Sequence, residues 1–296
     1  MQTKNQIREL LASVGVAPRR KFGQHFLVDL NLLRLVVEAA DIGPQDVVLE
    51  VGCGTGSLTQ ALAQRAGRVV SVEIDSVLAG LARSQLVDCD NVELVEADAL
   101  SSKGVLNPVV IEAIDRAREQ ARGRLLLVAN LPYDVASPLM VNLVKGPLLT
   151  ETMVVTVQKE VADRMEAGPH GKHYGTLSVF LGATGQVQTL RVLKPSVFWP
   201  PPAVDSAVVR VVRDQAKSRR IDQMERFSEV VGLFMGHRRK MLRACVKHAP
   251  EALGNRDQWM RRFERCGIDP CRRPEALSPA QYVALANLCG RDEAGR

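Results

Sequence analysis

At 296 residues, with 46% hydrophobic and 24% charged side chains, the chain has room for one large domain and a smaller one of ordinary globular composition. No stretch approaches the roughly 20 apolar residues of a membrane helix, and the opening MQTKNQIREL lacks the apolar segment of a secretory leader, so a cytoplasmic protein is expected. Its net charge of +6 is uneven: residues 1–34 carry +4, residues 35–212 carry −5 and residues 213–296 carry +7, which suits a catalytic body flanked by surfaces for a polyanion.

In chain order, apolar runs rich in β-branched residues at 47–51, 69–73, 92–95, 125–129 and 153–157 predict strands. Between them LTQALAQRAG, SVLAGLARSQL, NPVVIEAIDRAREQARG and SPLMVNLVKG have apolar residues at helical spacing. This alternation predicts an α/β fold with a doubly wound, mostly parallel sheet. Two further runs, 186–193 and 206–212, read as a closing antiparallel pair, separated by WPPPAV, whose prolines exclude it from a central strand. Beyond residue 212, RDQAKSRR reads as a linker. MERFSEVVGLFMGHRRKMLRACVKH, NRDQWMRRFERCG and SPAQYVALANLCG then predict a small all-helical module, its last helix capped by Ser278 with Pro279 at the first position. Three parts are expected: a basic arm (1–34), an α/β body (35–213) and a helical module (214–296). Cys53, Cys89, Cys245, Cys266, Cys271 and Cys289 lack zinc-ligand spacing; reduced thiols and no metal are expected.

VVLEVGCGTGSLT sets Gly52, Gly54 and Gly56 between the first strand and its helix, where glycine lets the chain turn tightly and a ligand approach the backbone. The G-x-G-x-G spacing differs from the dinucleotide pattern. Glu73 ends the next strand, placed to accept hydrogen bonds from both hydroxyls of a ribose. Asp98 follows the third strand and can bind an exocyclic adenine amine. In that order these signals describe a nucleoside without phosphate, and S-adenosylmethionine fits best; an NAD-dependent oxidoreductase is the alternative.

The fourth strand runs into Asn130-Leu131-Pro132-Tyr133. At a strand end beside the cofactor, the Asn130 amide oxygen and the Leu131 carbonyl can accept hydrogen bonds from an exocyclic amine. Such acceptors favour the charge that develops on its nitrogen as a methyl arrives. Pro132 fixes the turn, and Tyr133 can stack on the base.

In these motifs the chain resembles the bacterial KsgA/RsmA family of small-subunit rRNA adenine dimethyltransferases, related to their eukaryotic counterparts and to the erythromycin-resistance methylases. KFGQHFL, VGCGTG, VEID, ADAL, NLPY, QKEVADRM, YGTLSV, FWPPPAVDSAVVR and HRRKMLR carry the resemblance over nearly the whole chain. It implies a Rossmann-like, seven-stranded methyltransferase sheet. The implied substrate is two adjacent adenosines near the 3′ end of small-subunit rRNA, in an immature subunit, dimethylated at N6 by S-adenosylmethionine. It also implies cofactor contacts from His25, Leu27, Gly52, Glu73, Asp98 and Asn130, and a Phe198 ring facing Tyr133 across the target base. The family usually has asparagine at His25 and commonly proline at Cys53. The protein is expected to act as a monomer. Arg19, Arg20 and Lys21 of the arm, with Arg238, Arg239, Lys240 and Arg243 on one C-terminal helix, are expected to contact RNA phosphates. A large-subunit methylase and a non-catalytic assembly factor remain as alternatives, and a DNA adenine methyltransferase would usually show D-P-P-Y instead.

Overall fold

The structure, a computed structural model, describes residues 1–19, 23–102, 104–146 and 148–294. Along the chain, α1 (Lys4–Ser13), β1 (Phe26–Leu27) and α2 (Leu30–Ala39) lead into β2 (Val47–Val51), α3 (Ser57–Ala63), β3 (Arg68–Glu73), α4 (Ser76–Gln85) and β4 (Val92–Glu96). A hairpin of β5 (Leu100–Ser102) and β6 (Val105–Leu106) precedes α5 (Pro108–Gln120), β7 (Leu125–Asn130), α6 (Ala136–Lys145) and β8 (Thr152–Gln158). Then come α7 (Lys159–Glu166), α8 (Thr176–Thr184), β9 (Gly185–Leu193), β10 (Phe198–Trp199) and β11 (Ser206–Arg213).

Seven strands form one sheet in the order β4-β3-β2-β7-β8-β11-β9, confirming the α/β reading. β4, β3, β2, β7 and β8 pair in parallel, and β11 runs antiparallel to β8. All five residues of β2 and the first five of β7 are buried, as parallel strands covered on both faces require. The chain leaves β2 toward β3 and leaves β7 toward β8, so a crevice opens at the carboxyl ends of β2 and β7. The charged stretch 107–120 becomes α5: Asn107 caps it by accepting from Val109 N–H, Pro108 starts it, and Val110, Ala113, Ile114 and Ala117 are its buried face.

Two compact units result: residues 1–162 with 188–212, and residues 163–187 with 213–296. The second therefore takes in α8 as well as α9 (Gln215–Ser218), α10 (Met224–Gly236), α11 (Leu242–Cys245), α12 (Arg256–Arg265) and α13 (Pro279–Ala294). Its core is aromatic: Phe180 meets Phe227 edge-on at 5.1 Å, and Phe234 meets Trp259 edge-on at 5.2 Å. Ser278 caps α13 reciprocally with Gln281, as expected from sequence.

The expectation that residues 238–243 share one helix is corrected. α10 ends at Gly236, and 237–241 form a turn before α11. The N–H groups of Leu242 and Arg243, which a continuing helix would aim four residues back, donate instead to the carbonyls of Arg272 and Pro270. Leu242 is buried, while its neighbour Met241 is 44% exposed.

Candidate active site

One cavity occupies the crevice, lined among others by His25, Leu27, Gly52, Glu73, Asp98, Asn130, Leu131 and Tyr133. Eight of the nine residues expected to touch cofactor or target base are thus brought together; Phe198 alone is not among the lining residues.

The glycine loop owes its shape to backbone conformations that side chains resist. Gly52, Gly54 and Gly56 have φ of 81°, 58° and 79°. A Cβ on Gly52 would stand 3.0 Å from Pro132 Cγ, and one on Gly54 would stand 2.8 Å from the Phe26 ring. The loop therefore needs backbone without side chains on two sides, the cradle a ligand approaching the main chain requires. The Cys53 side chain, where the resembled family commonly has proline, packs against Ala82 and Leu86.

Two carboxylates flank this loop. Glu73 is 5% exposed; its Oε2 accepts from Gly54 N–H at 2.8 Å and its Oε1 from Asp75 N–H at 3.0 Å. Each oxygen keeps a second lone pair, so the group can still accept from a vicinal diol. Burial pushes its pKa up, opposed by those backbone donors. Asp98 is exposed at the cavity edge and accepts from Leu100 N–H at 2.9 Å.

Glu50 lies deeper, 1% exposed, with its Oε2 accepting from Thr59 Oγ1 at 2.6 Å and Ser71 Oγ at 2.9 Å. Burial raises its pKa to about 7 despite these hydroxyls. Because the folded value lies above the unfolded value near 4.5, the unfolded chain releases this proton first as pH rises. Stability from this group is therefore highest below pH 4.5 and falls until about pH 7, by roughly 3 kcal/mol. Glu50→Gln should remove that slope. Its thermal midpoint relative to wild type should rise by several degrees between pH 5 and pH 8, and a pH-independent difference would mean that Glu50 is already ionised at pH 5.

The acceptor side is built by the end of β7. Asn130 Nδ2 donates to the His25 carbonyl at 2.8 Å, which turns Oδ1 away as an acceptor. Leu131 N–H is tied to the Thr156 carbonyl at 3.1 Å and its side chain is buried, fixing the turn. Tyr133 is half-buried, its hydroxyl 3.3 Å from Ser206 Oγ, and burial raises the phenol pKa, keeping it neutral.

The ring opposite Tyr133 is not Phe198 but His25, stacked at 5.5 Å and 29°. His25 Nδ1 bonds the Pro200 carbonyl at 2.7 Å, which holds the imidazole in place. Phe198 is 4% exposed in the core cluster with Leu27 and Leu193. Its strand β10 pairs antiparallel with β1, setting Phe198 opposite Leu27, and that pairing draws both side chains into the core. Neither the His25 stack nor the Ser206 contact was foreseen; a serine in DSAVV at the start of a predicted strand was the available signal for the second.

Of the basic residues, Arg19 is committed to Asp75 at 3.2 Å, while Arg20 and Lys21 lie outside the described residues. In the helical unit Arg238 pairs with Glu275 at 3.1 Å, and Lys240 Nζ donates to His248 Nε2 at 2.8 Å, beside the stacked His237 and His248 rings. Arg239, Lys240, Arg243 and Lys247 are exposed. No helix among the described residues is long and apolar enough to cross a membrane.

A family model described as ribosomal RNA adenine dimethylase matches residues 16–289. A protein named ribosomal RNA small subunit methyltransferase A from Pelotomaculum thermopropionicum is 38% identical, over 95% of this chain and 94% of its own length. A protein of the same name from Geobacillus thermodenitrificans is 36% identical, over 96% of this chain and 95% of its own. Among solved structures, a dimethyladenosine transferase from Plasmodium falciparum has a TM-score of 0.70 at 24% identity, covering 88% of this chain and 96% of that one. The 23S rRNA methyltransferase ErmE has a TM-score of 0.59 at 24% identity, covering 90% and 99%. Both structural likenesses concern the fold.

Proposed function

This chain belongs to the ribosomal RNA adenine dimethylase family, and we propose that it dimethylates N6 of two adjacent adenosines near the 3′ end of small-subunit rRNA, in the cytoplasm, during late assembly of the subunit. S-adenosylmethionine is the methyl donor and supplies an electrophilic methyl group on a sulfonium. The observation that carries the reading is Asn130, held by the His25 carbonyl at the end of β7 so that its amide oxygen serves the cavity shared with Glu73 and Asp98.

Gly52 and Gly54 let the cofactor lie against the main chain, Glu73 accepts the ribose hydroxyls, and Asp98 takes the adenine amine. Leu27 and His25 wall the pocket. Tyr133 stacks on a target adenine drawn out of its RNA stack, where N6 becomes reachable. Asn130 Oδ1 and the Leu131 carbonyl accept from the N6 amine. They stabilise the positive charge as nitrogen loses conjugation with the ring. The proton then becomes acidic and leaves to water, so no general base is needed. His25 is a wall and a support for Asn130 and Tyr133, not a proton carrier.

Small-subunit RNA is favoured over large-subunit RNA by the names of the relatives at 36–38% identity. Transfer of tritium from labelled S-adenosylmethionine, measured in parallel on immature small subunits and on large-subunit RNA, tests this. Label confined to the small subunit supports the reading, and label confined to the large subunit supports the resistance-type alternative.

Exposed Arg239, Lys240, Arg243 and Lys247 are the phosphate contacts of the helical unit. Arg238 is the weaker choice because Glu275 already neutralises it. Changing Arg239, Lys240 and Arg243 together to glutamate should lower RNA affinity and flatten its salt dependence by roughly one unit per lost contact, with S-adenosylhomocysteine binding retained. An unchanged slope on immature subunits would mean that these charges only solvate the turn.

A further inference from the structure

Residues 1–15 precede the span matched by the family model, yet they are fastened to the glycine loop. Gln2, 6% exposed, makes three hydrogen bonds to it: its N–H donates to Ser57 Oγ at 2.7 Å, its Nε2 donates to the Thr55 carbonyl at 3.1 Å, and its Oε1 accepts from Thr55 Oγ1 at 2.6 Å. Thr55 and Ser57 both line the cavity, and each is buried. Immediately after Gln2, Thr3 and Gln6 form a capping box that starts α1. Ile7 and Leu11, on the buried face of α1, pack with Leu78 and Leu81 of α4, and Ile7 also reaches the cavity lining.

We propose that Gln2 and α1 form a latch that holds the glycine loop in its cofactor-binding shape, making Gln2 a positioning residue for S-adenosylmethionine. This rests on the cofactor reading given above. Three glycines at positive φ give the loop many alternative conformations, and ordering it at the moment of binding costs affinity. Gly56 N–H to the Cys53 carbonyl and Gly54 N–H to Glu73 fix the loop's middle. Among the described residues, Gln2 is the one whose hydrogen bonds reach the Thr55 and Ser57 side chains, where the loop passes into α3. The apolar face of α1 supplies the fixed point from which Gln2 pulls.

Coupling of this kind is reciprocal: if docked α1 favours the cofactor, the cofactor must favour docked α1. Two measurements on the full chain test it, with S-adenosylhomocysteine as the probe. In the wild type, the probe should slow amide hydrogen exchange across residues 4–13, including those beyond Ile7 that do not line the cavity. In Gln2→Ala, calorimetry should give a dissociation constant raised about five- to tenfold. The KM for S-adenosylmethionine should rise in step, and kcat at saturating cofactor should change much less. A latch that is only structural would lower the thermal midpoint and leave probe affinity and the KM-to-kcat split untouched, which overturns the proposal. Exchange in residues 4–13 that ignores the probe overturns it too, even if the variant does not fold. Failure of the wild type to bind the probe at all would sink the cofactor reading itself, a separately visible result.

Discussion

Asn130→Ala is expected to lower methyl transfer by about 10²-fold or more while S-adenosylhomocysteine affinity stays within a few-fold. The asparagine's amide nitrogen is spent on the His25 carbonyl, so its remaining function is the acceptor at Oδ1. An acceptor aimed at charge that develops only as the methyl transfers acts on the barrier and little on ground-state binding. Alanine removes that acceptor and leaves the His25 carbonyl to water. Single-turnover rates and calorimetry separate the two effects. Equal losses in rate and cofactor binding would make Asn130 a scaffold for the turn instead.

Glu73→Gln should show the opposite partition, with S-adenosylhomocysteine affinity falling by about 10²-fold and turnover at saturating cofactor falling much less. Hydrogen bonds to a charged acceptor are worth roughly 1.5–3 kcal/mol each, and the ribose offers two. The amide also meets the loop badly: Glu73 accepts from Gly54 N–H on one oxygen and Asp75 N–H on the other. A glutamine must point its NH₂ at one of these donors. Calorimetry with S-adenosylhomocysteine reads the effect, and unaltered affinity would refute the ribose assignment.

The centre of the sheet was legible because its strands are buried almost throughout. Runs such as VVLEV and LLLVA can be little else when bounded by glycine and helical periodicity, and their edges fall within a residue or so of the reading. The glycines at 52, 54 and 56 were legible for a similar reason, since positive φ at three alternate positions admits few other residues. What escaped was set by long-range pairing. Residues 237–241 carry good helix formers, but the carbonyls of Pro270 and Arg272 take the N–H groups that would have continued α10. Phe198 reads as a stacking ring from its motif, and its pairing opposite Leu27 sends it to the core. α8 sits inside the stretch read as part of the α/β body, and its Phe180 belongs instead to the aromatic core of the helical unit. Gln2 gave no local signal at all, because its partners are more than 50 residues away in sequence.

The most direct test of the central claim is the chemical identity of the product. Purified protein, S-adenosylmethionine and immature small subunits would be incubated, the RNA digested, and the nucleosides identified by mass spectrometry. The expected result is N6,N6-dimethyladenosine from two neighbouring positions near the 3′ end, formed about 10²-fold or more slowly by Asn130→Ala. Methylation at a ring nitrogen, on ribose or on another base, or none from a protein that binds S-adenosylhomocysteine, would contradict it.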